Sequence, residues 1–245
     1  MKKWMIPVGI FVLGALVFAG VYFFVIRPNK NVSLEDEDAK VPPIPLEMRP
    51  VASLTPSIDG HWLKLVIEGI KIEAYSMDYE LLYKVGDGRT QGVPGTIQLK
   101  GEKSLERDLL LGSESSGKFR YDEGVETGTL TLRFRNDKGK LVGKLSTDWH
   151  LVTDTDELTS VDNKFTYNLT KASKGTWFVV METFGLPDEA PGTLTMGPYG
   201  VFASEEGSFA GTASNMTHFW SGSAWKEISS SKSSDVGIFI QVASE

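Results

Sequence analysis

Thr129-Leu130-Thr131-Leu132-Arg133-Phe134-Arg135 alternates without a break. Leu130, Leu132 and Phe134 fall on one side, threonines and arginines on the other, which is the period of two of a half-buried strand. Asn136-Asp137-Lys138-Gly139 follows, a run of residues suited to a tight turn, and Leu141-Val142 opens a return strand. Together they read as a β-hairpin, and the same pattern sets the fold class for most of the chain.

Working outward, strands are expected at Trp62–Glu68, Tyr79–Val85, Thr96–Lys100, Leu109–Leu111 and Trp149–Val152. Beyond Thr153 they are expected at Phe165–Leu169, Trp177–Thr183, Thr193–Met196, Tyr199–Ala203, His218–Trp220, Trp225–Ile228 and Gly237–Val242. Gly, Pro, Asp and Ser turns separate them. No amphipathic helix longer than two turns is expected, although Glu102–Leu111 and Thr155–Val161 each have room for one helical turn.

Five short matches recur in order along this region. Asp59-Gly60-His61-Trp62 parallels Asp162-Asn163-Lys164-Phe165, and Tyr79-Glu80-Leu81-Leu82-Tyr83 parallels Trp177-Phe178-Val179-Val180-Met181. Pro94-Gly95-Thr96-Ile97 parallels Pro191-Gly192-Thr193-Leu194. Residues 113–119 parallel 203–209, and Trp149–Val152 parallels Phe239–Val242. The expectation is an all-β body of tandem antiparallel β-sandwiches of Ig-like or fibronectin-III-like architecture: repeat 1 over 58–152, a polar linker over 153–160 and repeat 2 over 161–245.

Before this body the chain changes character. Trp4 to Ile26 is 23 consecutive residues without a charge. As a helix this spans roughly 34 Å, enough for a hydrocarbon core of about 30 Å. Lys2 and Lys3 precede it, so the short tip 1–3 is expected in the cytoplasm and the body outside the cell membrane, with 4–26 as an uncleaved single-pass signal-anchor in the lipid bilayer. Gly9, Gly14, Ala15 and Ala19 give that helix small residues of the kind that pack against other membrane helices. Residues 27–57 hold Pro28, Pro42, Pro43, Pro45, Pro50 and Pro56 and the acidic run Glu35–Asp38, and read as an extended stalk.

Composition excludes several functions. The 245 residues include no Cys, which removes disulfides, thiolate metal sites and thiol catalysis, and only three His. The net charge of −7 offers no basic footprint for nucleic acid. Asp154, Asp156, Glu157 and Asp162 cluster at the junction, hard oxygen ligands that suit calcium but lack EF-hand spacing; no other cofactor is implied. Phe219, Trp220 and Trp225 flank a serine-glycine turn and either fill the core of the second sandwich or, where exposed, form the contact surface for a partner protein or glycan. No Gly-x-Ser-x-Gly elbow occurs, and no catalytic residue is assigned. The reading is a membrane-anchored extracytoplasmic module for surface binding, structure or adhesion, not an enzyme. The alternatives are an accessory subunit of an envelope complex or a glycan-acting hydrolase working through carboxylates.

Overall fold

The structure, a computed structural model, describes residues 41–243. The membrane segment 4–26, the tip before it and the acidic run of the stalk lie outside the described residues. Among the described residues no helix is long and apolar enough to cross a membrane.

The alternating segments become strands: β1 (Val51–Pro56), β2 (Trp62–Glu68), β3 (Ser76–Lys84), β4 (Thr90–Gln98), β5 (Leu105–Leu110), β6 (Gly112–Ser115), β7 (Lys118–Tyr121), β8 (Thr127–Arg135) and β9 (Leu141–Thr153). They continue as β10 (Glu157–Thr159), β11 (Thr166–Leu169), β12 (Trp177–Glu182), β13 (Leu194–Ala203), β14 (Gly211–Ala213), β15 (His218–Trp220), β16 (Trp225–Glu227), β17 (Lys232–Ser233) and β18 (Ile238–Val242). The body is nearly all β and its sheets are antiparallel. The hairpin read from the sequence is β8–β9, in register from Thr127 opposite His150 to Arg135 opposite Leu141, with one irregularity near the turn.

Nine strands form one sheet in the order β16-β15-β18-β13-β12-β9-β8-β3-β4. A three-stranded sheet, β1-β2-β5, and a four-stranded sheet, β10-β11-β14-β17, pack on it, and β6-β7 stands apart as a two-stranded hairpin. Strand β12 explains how the layers stack. Val179 and Met181 belong to a core shared with Leu54, Leu65, Leu109 and Leu132, whereas Phe178 and Val180 belong to a core shared with Leu158, Tyr167, Phe219 and Phe239. Successive side chains of a strand point to opposite faces, so the two cores lie on opposite faces of the nine-stranded sheet. The β1-β2-β5 sheet covers one face, the β10-β11-β14-β17 sheet covers the other, and β12 is buried on both. Each core is a sheet packed on a sheet, the sandwich arrangement, and the middle sheet belongs to both.

Several boundaries differ from the sequence reading. Residues 153–160 hold the last residue of β9 and all of β10, and β9 pairs directly with β12 from Thr153 opposite Trp177 to Trp149 opposite Met181, so the strands on either side of the expected linker share one sheet. Glu102–Leu111 holds β5, with Leu105 and Leu109 buried, and Thr155–Val161 holds β10; neither is helical. Val51–Pro56, read as stalk, is β1, and its Ala52 and Leu54 are fully buried. Prolines stand at its two ends, where an edge strand tolerates them. Its free edge is also held: the Ala52 N–H donates to the Thr183 carbonyl at 2.9 Å and the Gly185 N–H to the Pro50 carbonyl at 3.0 Å.

One of the sequence matches recurs atom for atom. In Ser57–Trp62, the Ser57 hydroxyl donates to Asp59 Oδ1 at 2.5 Å, the His61 N–H donates to the same oxygen at 3.1 Å, and the Trp62 N–H donates to the Ser57 hydroxyl at 3.0 Å. In Ser160–Phe165, the Ser160 hydroxyl donates to Asp162 Oδ1 at 2.6 Å, the Lys164 N–H to the same oxygen at 3.1 Å, and the Phe165 N–H to the Ser160 hydroxyl at 3.1 Å. Gly60 and Asn163 take the same left-handed conformation, with φ of 72° and 57°. These turns close the β1–β2 and β10–β11 hairpins. The sheet neighbours differ between the halves, since β3 pairs with β4 and β8 whereas β12 pairs with β13 and β9. Residues 113–119 span the β6–β7 hairpin, whereas 203–209 are the end of β13 and a loop.

Candidate functional site

The four junction acids are not brought together. Asp154 sits at a φ of 54° and accepts the Gly175 N–H at 3.0 Å. Asp156 is exposed, and Glu157 accepts the Thr159 hydroxyl at 3.4 Å. Among the described residues no three His, Asp or Glu side chains gather in a way that holds a metal ion. Asp162 is consumed by its own turn and by the Tyr199 hydroxyl at 2.8 Å, with the Lys164 ammonium at 3.3 Å. Burial pushes its carboxyl up, but the hydrogen bonds from Ser160, Tyr199 and Lys164 together outweigh it and hold the group at about 2. Burial, and then the hydrogen bond to Asp162, push the Tyr199 phenol up. These two line a polar cavity of about 210 Å³ with Glu182, whose carboxyl burial pushes up.

The second-half aromatics divide. Phe219 is 6% exposed and packs into the second core, where its ring lies 6.0 Å from that of Phe239. Trp220 and Trp225 pair across the β15–β16 hairpin, edge to face at 5.4 Å, and both are half-buried. The Trp225 indole N–H donates to the Asp188 carbonyl at 3.3 Å, so part of this surface is closed by the loop after β12.

The exposed aromatic group lies elsewhere, on the β6–β7 hairpin. Ser115-Ser116-Gly117 turns the chain, and Lys118-Phe119-Arg120-Tyr121 then alternates, so Phe119 and Tyr121 share one face with their cross-strand neighbours Glu114 and Gly112. Phe119 is 47% and Tyr121 38% exposed. The hairpin is tied to the body by rings. Tyr121 stacks on His61 at 4.1 Å and 6°, Phe119 lies parallel to Tyr121 at 6.4 Å, and Trp62 meets Phe119 edge-on at 5.5 Å. His61 and Trp62 are themselves presented by the Asp59 turn. The signal for this site was the alternation in Lys118–Tyr121, which is too short to distinguish from a turn flank without its partner strand.

A cleft of about 570 Å³ opens beside His61. Its walls carry Asp59, Asp122, Glu123, Glu126 and Glu157 together with His150 and Trp177, and no Lys or Arg lines it. Asp122 is fixed in place: the buried Tyr83 hydroxyl donates to its Oδ2 at 2.9 Å, and its N–H donates to the Leu111 carbonyl. His150 is oriented by a 2.7 Å hydrogen bond between Nδ1 and the Thr159 carbonyl. Gly60 lets the Trp177 indole lie against the turn, since a Cβ there would come within 2.5 Å of it. Exposed aromatic rings and carboxylates thus stand beside an open cleft. No family model matches the chain, and the comparisons with curated proteins and with solved structures likewise return no match.

Proposed function

We propose that this chain is a single-pass, N-terminally anchored protein whose extracytoplasmic all-β body is a non-catalytic binding module. The reading rests on the 23 uncharged residues from Trp4 to Ile26 for the anchor. For the body it rests on one observation above the others, the exposed Phe119–Tyr121 face of a hairpin that belongs to neither core. Large aromatic side chains left outside a core are expected where a surface meets a partner. The body descends from two copies of one sandwich unit, a reading supported by the twin Ser57–Trp62 and Ser160–Phe165 turns.

Two measurements test it. In membrane fractions and on intact cells, the full chain should remain with the membrane at high salt, and external protease should digest the body. Recovery of the full chain in the cytosolic fraction would falsify the anchor. For the module, adsorption of the purified full chain to intact cells should fall at least several-fold in a Phe119→Ala/Tyr121→Ala variant that melts at the parent temperature; unchanged adsorption removes the hairpin from the contact surface.

A further inference from the structure

Resting on the binding-module reading, we propose that the β6–β7 aromatic face and the cleft beside it hold an arginine-containing basic segment of a partner protein. Two properties of the surface select this occupant. The first is ring geometry. His61 lies against Tyr121 within 6°, Tyr121 is parallel to Phe119 within 7°, and Trp62 is edge-on to Phe119, while Phe119 and Tyr121 stay 47% and 38% exposed, so part of each ring is open to a stacking group and charge decides which one. The exposed part of this row suits a planar, delocalised cation lying on the outside of a ring.

The second is charge complementarity. Five carboxylates and no Lys or Arg line the 570 Å³ cleft that adjoins His61, and the residue opposite Phe119 on the same hairpin face is Glu114. The hairpin's own cations, Lys118 and Arg120, alternate with the rings, and Arg120 lines with Arg89 and Tyr121 a neighbouring cavity that shares Asp122 and Glu123, so the unpaired acidic lining is the part of the cleft toward Glu126, Glu157 and Asp59. An anionic polymer is repelled by this lining. A guanidinium is the side chain that satisfies both halves, stacking on a ring while donating two parallel N–H bonds to a carboxylate, and Asp122 is already held in one orientation by Tyr83.

The test uses the full chain in detergent and fluorescein-labelled peptides of alternating glycine with arginine, lysine or glutamate, read by anisotropy at low and physiological salt, with a labelled chito-oligosaccharide in parallel. The expected result is binding in the order arginine, lysine, glutamate, weakened by salt. Tyr121→Ala is expected to cost about tenfold in Kd for the arginine peptide. Glu123→Gln/Glu126→Gln is expected to weaken both basic peptides and leave the melting temperature unchanged. Equal binding of the glutamate peptide, absence of arginine-peptide binding, or arginine-peptide binding indifferent to both variants overturns the proposal. Saccharide binding lost in Tyr121→Ala, without peptide binding, overturns the basic-segment occupant while leaving the binding module standing. The module itself falls only if the cell-adsorption experiment above also shows no effect.

Discussion

Asp59 and Asp162 do the same work 103 residues apart: each carboxylate accepts a serine hydroxyl two residues before it and a backbone N–H two residues after it, and so closes a hairpin of a small sheet. They differ in what else they hold. Asp59 accepts its bonds from within its own turn, whereas Asp162 also receives the Tyr199 hydroxyl. Asp59→Ala should therefore lower stability by about 1 kcal/mol and Asp162→Ala by about 2–3 kcal/mol, because the latter also strands the hydroxyl of the buried Tyr199. Urea titrations of the two variants check the ranking; an equal loss would mean that Tyr199 contributes nothing.

The acid dependence of Asp162 has a fixed sign. Its folded value, about 2, lies below the ordinary 3.8, so its contribution is complete above 3.8 and is lost as pH falls toward 2. The stability difference between the parent and Asp162→Asn should be constant from pH 5 upward and shrink across the interval from about 4 to 2. A difference that grows on acidification contradicts the assignment.

Glu182 behaves in the opposite sense. Burial raises it above its ordinary 4.5, so the folded state favours the protonated form, and the carboxylate is a cost at neutral pH. Glu182→Gln should raise the melting temperature at pH 7 and lose that advantage below about pH 4.5. A stabilisation that persists unchanged into acid would point to packing instead of charge.

Gly60 carries both a backbone and a contact requirement. Its φ is 72°, and a Cβ would meet the Trp177 indole at 2.5 Å. Gly60→Ala should cost about 1–3 kcal/mol and shift the tryptophan emission, because the indole must move off the turn. Unaltered emission would show that the ring does not rest there.

Val179 and Val180 are neighbours in sequence that face different cores. Val179→Ala and Val180→Ala should each cost about 1–3 kcal/mol, add in the double variant to within about 0.5 kcal/mol, and lower one common thermal transition. Two separated transitions, each moved by one variant, would mean that the halves melt independently.

That strand also marks where the sequence was legible and where it was not. The strict alternation of β8, with Leu130, Leu132 and Phe134 inward, is a one-faced strand and was read as such. The run Phe178-Val179-Val180-Met181 does not alternate, which is the mark of a strand buried on both faces. Matched to the alternating Tyr79–Tyr83 as a repeat partner, it gave no sign that β9, ending at Thr153, pairs with β12 beyond the junction in one sheet. Val51–Pro56 was hidden by prolines that sit only at its ends. Among the site residues, His61 and Trp62 were visible as a repeat match but not as part of an aromatic row, because the rings that join them come from the β6–β7 hairpin, a pairing of Gly112–Ser115 with Lys118–Tyr121 that four-residue strands do not announce.

The double hold on β1 has a mechanical meaning. Tension entering the body through the residues before Val51 meets a strand gripped along one edge by six rungs to β2 and along the other by the Thr183–Gly185 segment. Pulled along its length, such a strand yields only when many bonds give way at once, whereas an end hydrogen-bonded on one side peels rung by rung. If the proposed contact at β6–β7 holds a partner, a load between it and the N-terminal side is borne across the layers by shear, the geometry in which a fold without a single disulfide resists force best.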